Sequence, residues 1–271
     1  MLEKILESCN HIKNIIDFNP AVGIILGTGL GGLVNEIEIK KSINYKDIPH
    51  FPLSTVESHQ GKLIFGTLSG KKIVAMQGRF HFYEGYSMQE VVFPVWVMHQ
   101  LGIKYLFVSN VSGALNPEMK AGDLVFIEDH INLQNANPLV GKNMDAIGPR
   151  FPDMSMPYDL KLLNMAASIA SENAIAFHRG TYVSVSGPNL ETKAEYRYLR
   201  IIGGDIVGMS TVPEIIAARH ANIPCFALSV VTDEGWHQDL KPVSLEMIIA
   251  NALKNEPKLS IIFKALIKKL D

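Results

Sequence analysis

The hydrophobic residues of this chain follow two periodicities in turn, which predict alternating helices and strands. Apolar residues recur at helical spacing over residues 2–16 and predict an amphipathic helix that ends before Pro20. The next run, Val22–Leu26, is short and apolar, as in a buried strand. The same patterns predict further strands at 63–67, 73–77, 105–109, 122–127, 181–186, 206–208 and 225–231. They predict further helices at 89–101, 157–171, 191–202, from 212 onward and at 244–270. The last of these helices is expected to break at Pro257. This alternation predicts an α/β protein. The absence of repeats and linkers in the sequence favours a single domain over residues 1–271.

The stretch 187–220 contains two strand-to-helix units in tandem. Glu191 lies where the first strand passes into a helix, and the turn Met209-Ser210-Thr211 takes that place in the second unit. Ligands of open α/β sheets bind at such strand ends, so these side chains are expected to face one crevice. The alternative is ordinary capping, in which Thr211 caps the second helix and Glu214 completes a capping box.

A glycine-rich segment follows the strand Val22–Leu26. Its sequence is Gly27-Thr28-Gly29-Leu30-Gly31-Gly32. Glycines let the chain turn sharply and let backbone N–H groups approach an anion, and Thr28 adds a hydroxyl donor. A plain tight turn fits this segment equally well.

The segment after the predicted strand 73–77 is dense in polar and aromatic residues, with Arg79, His81 and Tyr83 within five positions. Arginine presents a planar fork of donors that suits an oxyanion, and aromatic rings suit the apolar face of a sugar or a base. The alternative is a surface loop with an isolated salt bridge.

The predicted strand ends together offer donors for an anion and acceptors for a polar ring. The donors are Thr28, His59, Arg79 and Ser210, and the acceptors are Glu191 and Asp233. The segment Glu128-Asp129-His130 suggests a metal at first, but the sequence has no second ligand pair at metal spacing, so a satisfied polar cluster is the better interpretation. The combination of donors and acceptors suits an anion bound beside a heterocycle.

Composition narrows the class of protein. The chain has 271 residues, of which 47% are hydrophobic and 19% charged, as in a globular protein with a sizeable core. A formal net charge of -2 provides no basic surface for nucleic acid. The two cysteines, Cys9 and Cys225, form no metal or redox motif, which favours a reducing compartment. With neither a long apolar run nor a signal pattern, the expectation is a cytoplasmic protein without a membrane partner.

Several segments carry a resemblance to a known family. They are GIILGTGLGGL, SHQGKL, GRFHFYEGY, VSNVSGALNPEMKAGDLVFIEDHINL, GPRFPDMS, GTYVSVSGPNLETKAEYR and VGMSTVPEIIAARH. In this order they resemble the trimeric purine nucleoside phosphorylases, whose superfamily also includes the methylthioadenosine phosphorylases. The resemblance implies a three-layer α/β sandwich around a twisted mixed β-sheet, a homotrimer, and no metal or organic cofactor.

The resemblance also implies roles by position. The phosphate site would consist of Thr28, His59, Arg79, the backbone N–H of Val111 and the hydroxyl of Ser210. The ribose would be contacted by His81, Tyr83, Tyr182 and Met209. Phe151, in a long loop over residues 135–155, would reach the sugar pocket of a neighbouring subunit. At the base, Leu190 would provide apolar contact and Glu191 would accept from N1–H of a 6-oxopurine. The catalytic residues that the resemblance implies are Glu191, Asp233 and His81.

The implied reaction is the reversible phosphorolysis of purine ribonucleosides and deoxyribonucleosides, with inorganic phosphate as co-substrate. Two positions depart from the pattern of 6-oxopurine enzymes. Asp233 replaces an asparagine, and Leu245 aligns with a histidine near the ribose 5′-hydroxyl. Both departures resemble methylthioadenosine phosphorylases, which are the alternative, but GRFHFYEGY and GPNLETKAE favour inosine and guanosine as substrates. A non-catalytic nucleoside-binding protein is a further alternative, disfavoured because the phosphate-site residues are all retained.

Overall fold

The structure is a computed structural model, and it describes residues 1–53, 60–237, 239–240 and 242–270. Its α-helices are α1 (Leu2–Ile15), α2 (Met88–Gln100), α3 (Leu160–Glu172), α4 (Lys193–Ile201), α5 (Val212–His220) and α6 (Leu245–Lys268). Its strands are β1 (Val22–Leu26), β2 (Glu38–Asn44), β3 (Lys62–Leu68), β4 (Lys71–Gln77), β5 (Tyr105–Ala114), β6 (Leu124–Asn132), β7 (His178–Ser184), β8 (Ile206–Gly208) and β9 (Cys225–Glu234). Within these residues no helix is both long and apolar enough to cross a membrane.

The strands form one mixed sheet in the order β2-β3-β4-β1-β5-β8-β7-β6-β9. β9 also pairs with β5, so the second half of the sheet closes on itself. Helix α2 packs against α1 and α5. Helix α6 packs against α3 and against β9. The expected α/β sandwich around a mixed sheet is therefore confirmed, and the closure of the sheet is a feature that the hydrophobic pattern did not predict.

The core forms where strands and helices bury their apolar residues against each other. Phe107 on β5, Phe226 on β9 and Phe263 on α6 meet edge to face, with ring centroids 5.5–5.9 Å apart. Edge-to-face rings add specific geometry to the free energy of apolar burial. This cluster fixes α6 against the centre of the sheet, which places the first residues of α6 near the ends of β5 and β9.

The site lies where β5 meets its neighbours. β1, β4, β5 and β9 run in the same direction, so their carboxyl ends lie at one edge of the sheet. β8 runs antiparallel to β5 and pairs with its last residues, so the carboxyl end of β8 points back toward the middle of β5. Residues that follow β8 therefore approach the same place from the opposite direction.

Several strands differ from the predictions, and the largest differences are at β2, β5 and β6. β2 has no predicted counterpart, because most of its residues are polar and exposed and it pairs only with β3 at the edge of the sheet. β5 extends through Ala114 and β6 through Asn132, although the two strands were predicted to end at residues 109 and 127. Their small and polar residues remain in strand conformation because pairing with β9 and β7 satisfies their backbone groups.

The last helix, α6, also differs from the prediction. The predicted break at Pro257 is wrong, since α6 continues from Leu245 to Lys268 through this residue. Proline removes one N–H donor from a helix and leaves the carbonyl group four residues earlier, that of Leu253, without its helical partner. Both residues lie on the exposed face, where water can bind that carbonyl group.

Candidate active site

A cavity of about 360 Å³ opens beside the middle of β5. It is lined by most of the residues predicted for a site: Thr28, Arg79, His81, Tyr83, Val111, Leu190, Glu191, Met209, Ser210, Asp233 and Leu245. It is also lined by residues that sequence reasoning did not assign: Asn110, Ser112, Gly113, Pro188, Val207, Gly208, Thr232 and Ile248. The interpretation of the strand ends as one crevice therefore holds for these side chains.

Arg79 is the main cation at one end of the cavity. It follows β4 and is only 2% exposed. Its Nη1 donates to the carbonyl oxygen of Ser109 at 2.8 Å and to the hydroxyl of Ser210 at 3.2 Å. Its Nε lies 3.1 Å from a carboxylate oxygen of Glu214, which is also buried. These contacts fix the plane of the guanidinium group, and a fixed plane is what bidentate recognition of an oxyanion requires.

The position of Glu214 corrects one prediction. Thr211 makes no side-chain capping hydrogen bond to α5 and has a φ of 70°, so the predicted capping box does not form. The sequence pattern favoured a local contact, but the Glu214 carboxylate pairs instead with Arg79 from a distant strand. A buried arginine needs a partner of opposite charge, and this requirement outweighs a local capping hydrogen bond.

A chain of hydroxyl and amide groups continues from Arg79 along this wall. The hydroxyl groups of Ser210 and Thr211 lie 3.1 Å apart, and Asn110 Nδ2 donates to Thr211 Oγ1 at 2.8 Å. Asn110 lies in the part of β5 beyond the predicted end of the strand at residue 109. A polar side chain inside an otherwise apolar buried strand is the signal that could have identified it.

His81 and Tyr83 form the side wall. Their rings stack at 4.6 Å with an angle of 13° between planes. His81 Nδ1 lies 2.9 Å from a carboxylate oxygen of Glu84, which only accepts, so Nδ1 carries the proton. Burial lowers the pKa of His81, which keeps the ring neutral near pH 7 and leaves a lone pair at Nε2. Glu84 therefore orients His81, a role that sequence reasoning missed.

Two carboxyl groups stand at the other end of the cavity. Glu191 precedes α4, and Asp233 lies near the end of β9. Burial raises the pKa of both groups, and the nearby charge of Asp233 raises that of Glu191 further. The Thr232 hydroxyl lies 2.9 Å from Asp233 Oδ1. This end of the cavity therefore offers two partly buried carboxyl groups whose pKa values are raised toward neutral pH.

Three predicted site residues lie outside this cavity or outside the described residues. His59 falls at a position that the structure does not describe. Tyr182 is fully buried behind the wall, where its hydroxyl accepts from the backbone N–H of Ser210 at 3.3 Å. Phe151 is 87% exposed and lines a separate cavity of about 450 Å³. The roles of all three remain predictions.

His130 on β6 has polar contacts within the protein. His130 Nδ1 lies 3.2 Å from the Tyr158 hydroxyl, and burial lowers the pKa of His130 to about 4. In the parts of the chain that are described, no group of three or more His, Cys, Asp or Glu residues could hold a metal ion. These contacts agree with a polar cluster at His130.

The two ends of the main cavity differ in chemistry. The end with Thr28, Arg79 and Ser210 supplies hydrogen-bond donors and suits an anion. The end with Glu191 and Asp233 suits a ring with polar edges, and apolar side chains such as Met209 also line the cavity. A nucleoside with an anion beside its sugar has chemical groups that match both ends of the cavity.

Comparisons with known proteins agree. A model of the phosphorylase superfamily matches residues 21–268. Purine nucleoside phosphorylase 1 of Bacillus subtilis is 50% identical over 233 residues, covering 86% of this chain and 86% of that protein. The purine nucleoside phosphorylase of Mus musculus is 46% identical over 223 residues, covering 80% and 77%. The crystal structure of Schistosoma mansoni purine nucleoside phosphorylase in complex with adenosine has a TM-score of 0.94 at 44% identity, covering 99% of this chain and 98% of that chain.

Proposed function

The chain belongs to the phosphorylase superfamily and within it to the purine nucleoside phosphorylases, and from this premise we propose that it prefers 6-oxopurine nucleosides. The enzyme is a pentosyltransferase, EC 2.4.2.1, that catalyses the reversible phosphorolysis of purine nucleosides to a free base and a pentose 1-phosphate. The observation that carries the proposal is the single cavity with anion donors at one end and Glu191 and Asp233 at the other.

In this proposal the phosphate binds at the end that contains Arg79. The guanidinium group and the Thr28 and Ser210 hydroxyls donate to its oxygens, together with the backbone N–H of Val111. Glu214 holds Arg79 in place, so the donors need no rearrangement when phosphate arrives. Inorganic phosphate is the co-substrate, and the proposed chemistry requires no organic cofactor.

The sugar lies between phosphate and base, near His81, Tyr83 and Met209. As the bond between the sugar and the base lengthens, the sugar gains positive charge and the bound phosphate stabilises it. Electrons of the broken bond remain on the purine, and an oxygen of hydrogen phosphate forms the new bond at the anomeric carbon. The purine takes up one proton in place of the one that hydrogen phosphate loses, which gives the free base. The reaction therefore needs no covalent intermediate with the protein, and most of the catalysis comes from prearranged charge and hydrogen bonds.

At the base, the proposed acceptor for N1–H of hypoxanthine or guanine is Glu191. Adenine lacks this hydrogen, so an ionised Glu191 faces a lone pair of adenine and its own acceptor capacity is unused. Leu190 and Leu245 line the same cavity and supply apolar contact. The preference for 6-oxopurines rests on Glu191.

A second candidate substrate is methylthioadenosine, favoured by Asp233 and Leu245. An ionised Asp233 accepts from a 6-amino group, and Leu245 offers an apolar surface where a 5′-methylthio group would be accommodated. One relative in the comparison has been solved with both kinds of base, since structures of Schistosoma mansoni purine nucleoside phosphorylase contain adenosine or inosine. An assay with several nucleosides decides between a 6-oxopurine and a 6-aminopurine as the preferred base.

A panel of four nucleosides tests the proposed substrate class. We expect base release from inosine and guanosine with the highest kcat/KM, measurable release from adenosine, and the lowest values for methylthioadenosine. Each assay is run with and without inorganic phosphate, because phosphorolysis ceases without it. Equal release without phosphate would contradict phosphorolysis, and a higher kcat/KM for methylthioadenosine would select the second candidate.

The proposed assembly is a homotrimer in which Phe151 completes the sugar pocket of the neighbouring subunit. Phe151 lines a cavity with Val140, which is also exposed, so this loop presents more than one apolar side chain at the surface, as a contact between subunits requires. We further propose a single domain over residues 1–271 and a location in the cytoplasm, which the two buried free thiols support.

Mixed assemblies test this arrangement. Light scattering should give three times the 30.0 kDa of one chain. Phe151→Ala should raise KM for inosine and leave KM for phosphate unchanged. Co-expression of Phe151→Ala with Arg79→Ala should restore activity above that of either variant alone, because some sites combine an intact Arg79 with a neighbour's intact Phe151. A fully active monomer, or no restoration in mixed assemblies, would contradict the shared site.

A further inference from the structure

The end of β9 contains a β-bulge beside the base end of the cavity. Ser112 of β5 pairs with Val231 of β9. The next residue of β5, Gly113, already pairs with Asp233, so Thr232 is one extra residue on β9. An extra residue of this kind bends its strand and changes the direction of the side chains that follow, and such bulges are frequent next to active sites. The bulge at Thr232 therefore sets the direction in which Asp233 enters the cavity.

A side chain from α6 holds this extra residue. Asn251 Nδ2 donates to the carbonyl oxygen of Thr232 at 2.8 Å. A bulge interrupts the pairing between strands, and backbone groups in the interior need hydrogen-bond partners, so the amide supplies one where the sheet is irregular. Among the described residues, Thr232 and Asp233 line both the substrate cavity and a neighbouring cavity of about 740 Å³, whereas Asn251 lines only the neighbouring one. Asn251 therefore reaches the strand from outside the substrate cavity.

Further contacts connect Thr232 to the carboxylate of Asp233. The Thr232 hydroxyl lies 2.9 Å from Asp233 Oδ1 and 3.3 Å from the carbonyl oxygen of Ser112. On its other side the carboxylate lies against Gly113, since a Cβ built at Gly113 would lie 2.8 Å from Asp233 Oδ2. The carboxylate thus fits between the bulge and the backbone of β5, and a shift of Thr232 would move it.

Helix α6 is itself fixed close to Asn251. The next residue, Ala252, packs against the glycine-rich segment, since a Cβ built at Gly29 would lie 2.7 Å from the Cβ of Ala252. Further along, the ring of Phe263 meets the aromatic rings of β5 and β9. A helix held at these two places keeps the Asn251 amide in place before substrate arrives, and prearranged polar groups are what selective binding requires.

We propose that Asn251 is a positioning residue for base selection, whose amide holds the bulge at Thr232 and thereby fixes the carboxylate of Asp233. The inference rests on the proposed function, in which Asp233 meets the 6-position of the base. An ionised Asp233 accepts from a 6-amino group but has no hydrogen to offer to the O6 of a 6-oxopurine. Loss of the Asn251 amide should therefore reduce the use of adenosine more than the use of inosine.

The test compares Asn251→Leu with Asn255→Leu, a matched change one helical turn later. Leucine has the branched shape of asparagine but cannot donate a hydrogen bond. Asn255 Nδ2 donates to the carbonyl oxygen of Asn251, so this hydrogen bond stays within α6. The readout is the ratio of kcat/KM for inosine to kcat/KM for adenosine, at saturating phosphate and slightly alkaline pH. The ratio should rise about three- to tenfold in Asn251→Leu and keep the parent value in Asn255→Leu.

Two further variants separate positioning from a loss of stability. Asp233→Ala should itself raise the ratio, and adding Asn251→Leu to it should change the ratio no further, because the second residue acts through the first. Asn251→Gln keeps an amide donor, and its longer side chain has room because Asn251 borders a cavity. This variant should restore most of the parent ratio.

An unchanged or lower ratio in Asn251→Leu would overturn the inference, and so would an equal effect of this change with and without the Asp233 carboxylate. If Asn251→Leu does not fold by circular dichroism, Asn251→Ala takes its place, with the same direction expected and the same outcomes decisive. The proposed function fails separately, if the parent enzyme uses adenosine better than inosine. The shift caused by the Asn251 variant is measured against the parent ratio, so it is read in that case as well.

Discussion

Arg79→Ala is expected to reduce phosphorolysis by about 2–5 kcal/mol of transition-state stabilisation, which is about thirty- to several thousand-fold in kcat/KM for phosphate. The change removes donors for the phosphate oxygens and also leaves the buried Glu214 carboxylate without its cation. Steady-state kinetics with phosphate varied at saturating inosine measure the effect. The loss should fall on the use of phosphate, with a smaller change in KM for inosine.

A surface arginine provides the control for this variant. Arg200 pairs with Asp205 at 2.6 Å but is much more exposed than Arg79, so Arg200→Ala should change kcat/KM by less than about 1 kcal/mol. Thermal unfolding of both variants separates lost stability from lost binding. Unchanged phosphate kinetics in Arg79→Ala would show that the guanidinium group is structural and that the anion binds elsewhere in the cavity.

The hydrophobic pattern predicted the buried parts of the fold well. β1 and β8 have the predicted bounds, because short apolar runs between turn residues have few other stable conformations. β2 was not predicted, because an edge strand pairs through its backbone and needs no apolar side chains. The closure of β9 on β5 was also not predictable, since pairing between distant strands leaves no local periodicity.

The site was predictable where chemistry and strand ends coincide. Arg79, Glu191 and Asp233 were predicted to face one crevice because they follow or end strands, where open α/β sheets bind ligands, and all three line one cavity. Glu214 was not identified as the partner of Arg79, because it lies inside a helix and Arg79 comes from a distant part of the chain. The local capping pattern at Glu214 was misleading for that reason. A residue whose role depends on a contact across the fold has no signature in its neighbours along the chain.

Glu191→Leu is expected to lower kcat/KM for inosine by about 1.5–3 kcal/mol, which is about ten- to more than a hundredfold, because N1–H loses a charged acceptor. The acidic limb that Glu191 contributes to the inosine profile should disappear as well. Adenosine should lose much less, because adenine has no hydrogen at N1. Leucine keeps much of the side-chain volume, so the comparison isolates the carboxylate. The measurement is kcat/KM for both nucleosides in both proteins, with KM for phosphate as the internal control. Equal losses for inosine and adenosine would show that Glu191 supports the cavity without contacting N1, and the base would then be selected by Asp233 and its neighbours.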